Sequence, residues 1–258
     1  MKFGDIFLKV FTFAIFALIY GPIVVMALFS FNSSRLLGSW TGFTIDWYAQ
    51  LFQTPEVWGA LYNSVVVAAL TAVSSVVFGI LTAYAMVRYS FRGKGVIDSL
   101  LYIPIIIPEI AEALTLLLFY LLIGWGFSLG FTTVLLGHIA YDISYCYVVL
   151  RARLVGFDRS LEEAAKTLGA NEIQTFFRIT LPLLMPGILA ASLLAFTLSY
   201  DDFYKTVFTT GPGFETLPLR IWAMARKGGV SPELNALTTI ALGISMSLAL
   251  LYQRFSKK

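Results

Sequence analysis

Long apolar runs separated by short polar segments make up most of the chain. Six of these runs reach the roughly 17 residues or more that a helix needs to cross the hydrocarbon core of a bilayer. They lie near residues 10–31, 61–87, 97–123, 131–150, 183–204 and 236–252. The pattern therefore predicts an all-α integral membrane protein with six transmembrane helices and no separate soluble domain.

The first and third runs depart from a plain transmembrane pattern. The first is longer than the apolar part of a signal peptide and no small-residue cleavage site closes it, so we predict an uncleaved span. The third contains Pro104 and Pro108, but a proline-kinked helix is tolerated where neighbouring helices satisfy the freed carbonyl groups. We therefore predict one kinked span over residues 97–123.

The composition supports a membrane protein, since 58% of the residues are hydrophobic, 13% are charged and the mean hydropathy is +0.80. The net charge of +3 comes from scattered Lys and Arg residues, so no nucleic-acid partner is predicted. One histidine, His138, one cysteine, Cys146, and no phosphate-binding loop motif predict no catalytic, metal or ATP site in this chain. We expect Cys146 to be a buried core residue.

Positive charges favour the cytoplasmic side in short loops of membrane proteins. Thirteen of the 18 Lys and Arg residues fall on the side that holds both chain ends and the polar segment 157–181. We therefore predict that both termini and this polar segment are cytoplasmic. On the opposite side we expect a short surface helix, Asp46–Phe52, within the aromatic-rich segment 32–60, and turns over residues 205–235.

The polar segment carries the signals of two short helices. Ser160 followed by Glu163 is a capping-box pattern that predicts the start of the first helix, and Gly169 predicts its end. Asn171 predicts the start of a second helix, which we expect to end at Arg178 before the next span begins. Alanines in the first helix allow close approach of another protein's backbone.

Seven residues, six in this segment and one directly after it, resemble in kind and spacing the EAA signature of permease subunits of binding-protein-dependent ABC importers. They are Glu163, Ala164, Ala165, Gly169, Ile179, Leu181 and Pro182. The resemblance implies that these residues couple the chain to an ATPase subunit, although helix capping alone also accounts for Glu163. It implies a type I ABC importer permease core over residues 60–251, with coupling helices at 157–181. A transmembrane helix and external loop over 1–59 precede this core, and a cytoplasmic tail, 252–258, follows it.

The same resemblance implies a larger complex in which this chain hydrolyses nothing itself. Two copies of an ABC ATPase bind ATP and Mg, a second permease subunit shares the path, and a periplasmic or lipid-anchored protein delivers the solute. The chain itself is expected to bind no cofactor, to contact membrane lipid and to lie in a bacterial inner membrane.

Charged side chains inside a span cost about 2.5–3.5 kcal/mol each on insertion scales, and most of those in this chain are acidic. Carboxylates and aromatic faces both attract ammonium groups, so five carboxylates and two tyrosines are candidates for the path of an organic cation. The candidates are Asp201, Asp202, Glu109, Glu112, Asp142, Tyr200 and Tyr204. Alternatively, each carboxylate pairs with a neighbour, as Asp142 could with His138, or faces a partner subunit.

Three further segments are similar to permeases of spermidine/putrescine importers, in particular to the second of their two permease subunits. They are residues 198–203, 209–222 and 229–240. This resemblance implies a polyamine as cargo and a polyamine-binding protein as the delivering partner. Asp201 and Asp202 lie in the first segment, whereas Glu112 and Asp142 match no family motif.

The sequence therefore predicts the inner-membrane permease subunit of an ATP-driven polyamine importer. An importer of another solute, such as an iron complex, thiamine or another amine, stays open, because acidic residues favour a cation without choosing among cations. A proton-coupled carrier that uses Glu109, Glu112 and Asp142 as a proton relay is the alternative from a different class, and it predicts uptake that persists without an ATPase.

Overall fold

The computed structural model describes residues 3–35, 39–124 and 129–256, which fold almost entirely into helices. The α-helices of these residues are α1 (Phe3–Phe29), α2 (Asp46–Phe52), α3 (Pro55–Arg88), α4 (Lys94–Ile106), α5 (Glu109–Leu122), α6 (Phe131–Val155), α7 (Ser160–Thr167), α8 (Glu172–Thr175), α9 (Leu181–Tyr200), α10 (Tyr204–Thr209), α11 (Leu217–Gly228) and α12 (Pro232–Ser256). A π-helical turn, Phe176–Thr180, joins α8 to α9. Within the same residues, β-structure is limited to one isolated antiparallel bridge between Asn32 and Phe43, which confirms the predicted all-α class.

Five described helices are long and apolar enough to cross a membrane: α1, α3, α6, the continuous helix Glu172–Tyr200 and α12. The span predicted over residues 97–123 is not one kinked helix, because α4 and α5 are separate helices bent by 111°. Pro108 has no N–H to donate and disfavours helical backbone at Ile107, whose φ and ψ are −71° and 139°. The described residues thus hold five candidate spans, or six if this bent pair counts as one.

The structure divides into two compact units, of which the first comprises residues 1–58 and 220–244. Most side chains of α1 are exposed in the chain. The loop that follows is organised around Asn32, whose side chain accepts a hydrogen bond from the Thr41 N–H at 3.0 Å. The Asn32 carbonyl accepts a second bond from Trp47 Nε1 at 2.8 Å. Trp47 belongs to α2, and the predicted helix Asp46–Phe52 is confirmed.

The second unit comprises residues 59–219 and 245–258, and its core is formed by α3, α6 and α9. Its buried core residues are Ala72, Val76, Ala83, Met86, Cys146, Tyr147, Leu150, Leu154, Leu184, Ala191 and Ala195. Small side chains let membrane helices approach closely. At Gly79, an added Cβ atom would lie 2.7 Å from the Cys146 Cβ. Cys146 is thus a buried core residue, as predicted.

The segment 205–235, predicted as turns, also contains helical residues in α10 and α11. Turns are present beside these helices, where Gly213 and Gly229 have φ values of +84° and +68°. Glycine adopts such angles without the steric penalty of a Cβ atom. Neither α10 nor α11 is among the helices long and apolar enough to span a membrane.

Candidate functional site

The segment that resembles the EAA signature begins with α7. Asp158 Oδ1 accepts a hydrogen bond from the Ser160 N–H at 2.9 Å, and this bond lowers the pKa of Asp158. α7 begins at Ser160, as predicted, but the predicted capping box between Ser160 and Glu163 is wrong. The Glu163 side chain is 69% exposed and lies 3.7 Å from Arg159 Nε, one helical turn earlier. An exposed carboxylate with so loose an ion pair can still contact another protein.

α7 ends at Thr167, and Gly169, predicted to stop the helix, follows two residues later with a φ of +91°. The Gly169 N–H donates to the Lys166 carbonyl at 2.9 Å, and the Ala170 N–H donates to the Ala165 carbonyl at 3.0 Å. These two bonds form a Schellman motif, which satisfies carbonyl groups at the end of a helix. The chain therefore leaves α7 by a defined turn.

α8 begins with a capping box, as predicted for Asn171. Its Oδ1 accepts a bond from the Gln174 N–H at 2.8 Å, and Gln174 Oε1 accepts one from the Asn171 N–H at 3.0 Å. The predicted helix end at Arg178 is wrong, because α8 continues through the π-helical turn into α9. The wider turn accommodates Pro182, which has no N–H to donate to a preceding carbonyl. α8 and α9 are consequently one continuous helix.

The segment exposes a group of large apolar side chains. Their exposed fractions range from 47% to 89%, and they are Leu161, Leu168, Ile173 and Phe177. Among the signature residues, Glu163, Ala164, Gly169 and Pro182 are exposed, and Ala165, Ile179 and Leu181 are half-buried. Clustered apolar exposure around accessible alanines is typical of a surface that another protein covers.

Glu162, the residue before Glu163, is buried and ties α7 to the end of α3. Arg88 Nη2 donates to Glu162 Oε1 at 3.0 Å, and Arg88 Nε lies 2.9 Å from Oε2. Thr180 Oγ1 also donates to Glu162 Oε1, at 2.7 Å. Sequence reasoning missed this buried pair, because the two residues are distant in the chain. The sequence around Arg88 gives no sign that Glu162 is its partner, and the sequence around Glu162 gives no sign of Arg88.

A second buried ion pair lies between α9 and α10, at Asp202 and Lys205. Lys205 Nζ is 2.5 Å from Asp202 Oδ2, and both side chains are 3% exposed. Asp202 Oδ1 accepts a bond from the Thr206 N–H at 2.9 Å and lies 3.3 Å from His138 Nε2. From its position in the sequence, Lys205 counts among the positive charges of the external side. In the structure, Lys205 is instead buried and paired with Asp202.

His138 does not pair with Asp142, so that sequence-based alternative is wrong. His138 Nδ1 lies 2.7 Å from Ser199 Oγ, and Nε2 lies 3.1 Å from Thr206 Oγ1. Both ring nitrogens are therefore occupied by α9 and α10. Asp142, one turn later on α6, is only 1% exposed, and its Oδ2 has no hydrogen-bond partner within the described residues.

Tyr141 lies against the Lys205 ammonium on another side. Lys205 Nζ lies 3.9 Å from the centroid of the Tyr141 ring, within the range of a cation–π interaction. Tyr141 Oη is 2.7 Å from Tyr145 Oη and donates to Glu109 Oε1 at 3.5 Å. Glu109 is exposed at the start of α5, so this chain of contacts runs from an exposed carboxylate to a buried ammonium.

Glu112 and Asp142 complete the group that we name the acidic cluster, together with Glu109, Asp202 and Lys205. Glu112 is half-buried, and its Oε2 has no hydrogen-bond partner within the described part of the chain. Glu112 interacts electrostatically with Lys205, Asp202 and Glu109. Asp142 interacts with Lys205, Asp202 and Glu112. The structure therefore brings four of the five predicted carboxylates together, and three of them, Asp202, Glu112 and Asp142, interact with one lysine.

The remaining candidates have other surroundings. Asp201 is exposed and accepts a hydrogen bond from Ser245 Oγ at 2.7 Å. Tyr200 is buried, and its hydroxyl has no hydrogen-bond partner among the described residues, whereas Tyr204 is 42% exposed. Asp201 and Asp202 thus have different partners, although they are adjacent in one motif.

The EAA signature and the acidic cluster belong to a chain that matches a known protein family. The family described as binding-protein-dependent transport system inner membrane component matches residues 75–257. The chain belongs to this family. The permease is therefore an inner-membrane transport component, as predicted.

Relatives of the permease share nearly its whole length. It is 40% identical over 248 residues to the spermidine/putrescine transport system permease protein PotC of Haemophilus influenzae, across 96% of this chain and 95% of that protein. It is 39% identical over 233 residues to the putrescine transport system permease protein PotI of Escherichia coli, across 88% and 83% of the two chains.

Solved structures confirm the fold of the permease. A bacterial ABC transporter that imports the acidic polysaccharide alginate has a chain that matches with a TM-score of 0.76 and 17% identity, over 98% of this chain and 94% of that one. A chain of an amino acid ABC transporter matches with a TM-score of 0.62 and 17% identity, over 83% and 99% of the two chains. The predicted type I ABC permease fold is thus confirmed.

Proposed function

We propose that the permease carries spermidine or putrescine into the cytoplasm as one subunit of an ATP-driven importer. The observation that carries this proposal is the 40% identity to PotC across 96% of the chain. PotI, whose name also gives a polyamine as cargo, supports the same substrate class. The acidic cluster adds a physical reason, since carboxylates and aromatic faces attract ammonium groups.

The importer that we propose contains a second permease subunit, two copies of an ABC ATPase that bind ATP and Mg, and a polyamine-binding protein at the outer face. Both termini of the permease and its EAA segment, by which we mean residues 157–182, face the cytoplasm in this arrangement. The seven signature residues contact the ATPase, and the exposed apolar side chains around them supply the contact area.

Two connections carry movement from the ATPase into the membrane in this proposal. One is the continuous helix from α8 through α9, which ends next to the Asp202 motif. The other is the buried Arg88–Glu162 pair, which ties α7 to α3. Closure of the ATPase pair then moves these helices as rigid bodies and alternates the access of the path between the two sides. Asp201, Tyr200 and Tyr204 are proposed to line the outer part of that path.

Uptake by the complete complex in proteoliposomes tests the cargo and the energy source. We expect labelled putrescine to enter the proteoliposomes only when ATP and the binding protein are present. Unlabelled spermidine should reduce the putrescine uptake rate, whereas an unrelated solute such as histidine should not. Uptake that persists with an inactivated ATPase and stops when the proton gradient collapses would instead establish a proton-coupled carrier. If thiamine or an iron complex reduced uptake and spermidine did not, the permease would belong to an importer of that other solute.

Glu163→Lys tests the docking role of the EAA segment. Because Glu163 is exposed, the change leaves the fold intact. It replaces the carboxylate that we propose contacts the ATPase with an ammonium group of opposite charge. We expect affinity for the ATPase to fall about tenfold or more, which corresponds to about 1.4 kcal/mol, as measured by titration of the ATPase onto the reconstituted permeases. Glu56→Lys, a charge reversal at an exposed residue of α3, is the matched control. Equal ATPase affinity for the Glu163→Lys and wild-type complexes would contradict the docking role.

A further inference from the structure

The Lys205 side chain shows which chemical group the acidic cluster accommodates. Its ammonium lies against one Asp202 oxygen at 2.5 Å and over the Tyr141 ring at 3.9 Å. A carboxylate oxygen and an aromatic face are the two features that recognise an alkylammonium group. The cluster therefore already holds one primary ammonium, which belongs to the chain itself.

Carboxylates in the cluster outnumber this ammonium. The Lys205 ammonium binds Asp202 directly, whereas Glu112 Oε2 and Asp142 Oδ2 are buried without a hydrogen-bond partner among the residues that the structure describes. Burial of an acceptor without a donor is unfavourable, and burial of a charge without a counter-charge is more so. A second ammonium between these two oxygens would supply both donors and positive charge.

Helix positions direct both carboxylates into the cluster. Asp142 follows His138 by one turn of α6, and the His138 ring contacts Asp202 on that face. Glu112 lies on α5, and both α5 and α6 pack against α10, which carries Lys205. Exposure decreases from Glu109, which is exposed, through half-buried Glu112 to Asp142, which is 1% exposed. The carboxylates thus lead from an open side toward a closed one.

We propose that Glu112 and Asp142 bind one primary ammonium group of the cargo beside the Lys205 ammonium. The proposal rests on the proposed function and specifies which carboxylates hold the cargo within the membrane. Lys205 serves as the fixed counter-charge of Asp202 and leaves the other two carboxylates for the incoming amine. A linear amine can then extend its second ammonium toward Glu109, one turn away on α5.

The double variant Glu112→Gln/Asp142→Asn removes both charges and keeps the side-chain sizes. In the complete reconstituted complex with saturating putrescine-loaded binding protein, we expect the putrescine uptake rate to fall about tenfold or more. Binding-protein-stimulated ATP hydrolysis is expected to stay within about twofold of wild type, since neither residue lies in the EAA segment. The control is Glu56→Gln, the same chemical change at an exposed carboxylate.

Carbodiimide labelling of Glu112, followed by mass spectrometry of the wild-type complex, measures occupancy directly. We expect putrescine to slow this labelling and a neutral diol of the same length to leave it unchanged. Unchanged uptake in the double variant, loss of uptake together with ATP hydrolysis, or labelling that putrescine does not slow would each overturn the inference. If the wild-type complex takes up no polyamine, the proposed function fails instead, so the two failures are distinguishable.

Discussion

Lys205→Met is expected to lower the free energy of unfolding of the permease by about 3–5 kcal/mol, the usual cost of removing one partner of a buried ion pair. Both side chains of the Asp202–Lys205 pair are 3% exposed, so solvent screens their interaction little. Without Lys205, Asp202 keeps His138 and the Thr206 N–H and hydroxyl as partners. Thermal unfolding of the purified complex in detergent measures the effect.

A double-mutant cycle separates the ion pair from other consequences of losing Lys205. Lys205→Met/Asp202→Asn should recover most of the lost stability, because no unpaired charge is then buried. Lys227→Met, at an exposed lysine of α11, should leave the melting temperature nearly unchanged. A double variant no more stable than Lys205→Met would show that the pair does not account for the loss.

Apolar runs predicted the spans because each helix must bury or present an apolar surface to lipid over its full length. What they could not predict is helix direction at proline. Pro108 ends α4 and turns the chain by 111°, whereas Pro182 lies inside a continuous helix after a π-helical turn. The same missing N–H permits both outcomes, and packing of neighbouring helices decides between them.

Candidate carboxylates were predictable because a charge in a span is costly and therefore needs a partner. The partners themselves were not, since they come from residues distant in the chain. Asp142 was the candidate partner of His138 in the sequence, and only the packing of α6 against α9 and α10 assigns the histidine to Asp202. Lys205 follows a predicted span and has the local sequence of a loop residue, although it is buried.

The EAA segment shows the same division between local and distant signals. Gly169 and the Asn171 capping box act within a few residues, so the turn between α7 and α8 was predictable. Glu162 and Glu163 are adjacent acids on a short helix, and local sequence does not distinguish the buried one from the exposed one. Contact with Arg88, on another helix, makes that distinction.

Arg88→Met is expected to release α7 from α3. ATP hydrolysis should then continue with less polyamine transported per ATP. The change leaves Glu162 with Thr180 as its hydrogen-bond partner in a position that is 7% exposed, and we expect local stability to fall by about 3 kcal/mol. Backbone amides of α7 should then exchange hydrogen about 100-fold faster in the assembled complex, as measured by mass spectrometry. The exposed Lys166–Glu172 pair cannot compensate, because solvent-exposed ion pairs stabilise little.

Arg92→Met, at an exposed arginine just beyond α3, is the control and should leave α7 exchange unchanged. The double variant Arg88→Met/Glu162→Met should restore slow exchange in part, since no unpaired charge is then buried. If the Arg88–Glu162 pair transmits movement from α7 to α3, this variant should still transport fewer polyamine molecules per ATP hydrolysed than wild type. Full transport in this double variant would show that the pair only stabilises α7. Slow exchange in Arg88→Met itself would show that other contacts hold α7. The continuous helix through α9 would then be the connection that carries movement from the EAA segment toward the acidic cluster.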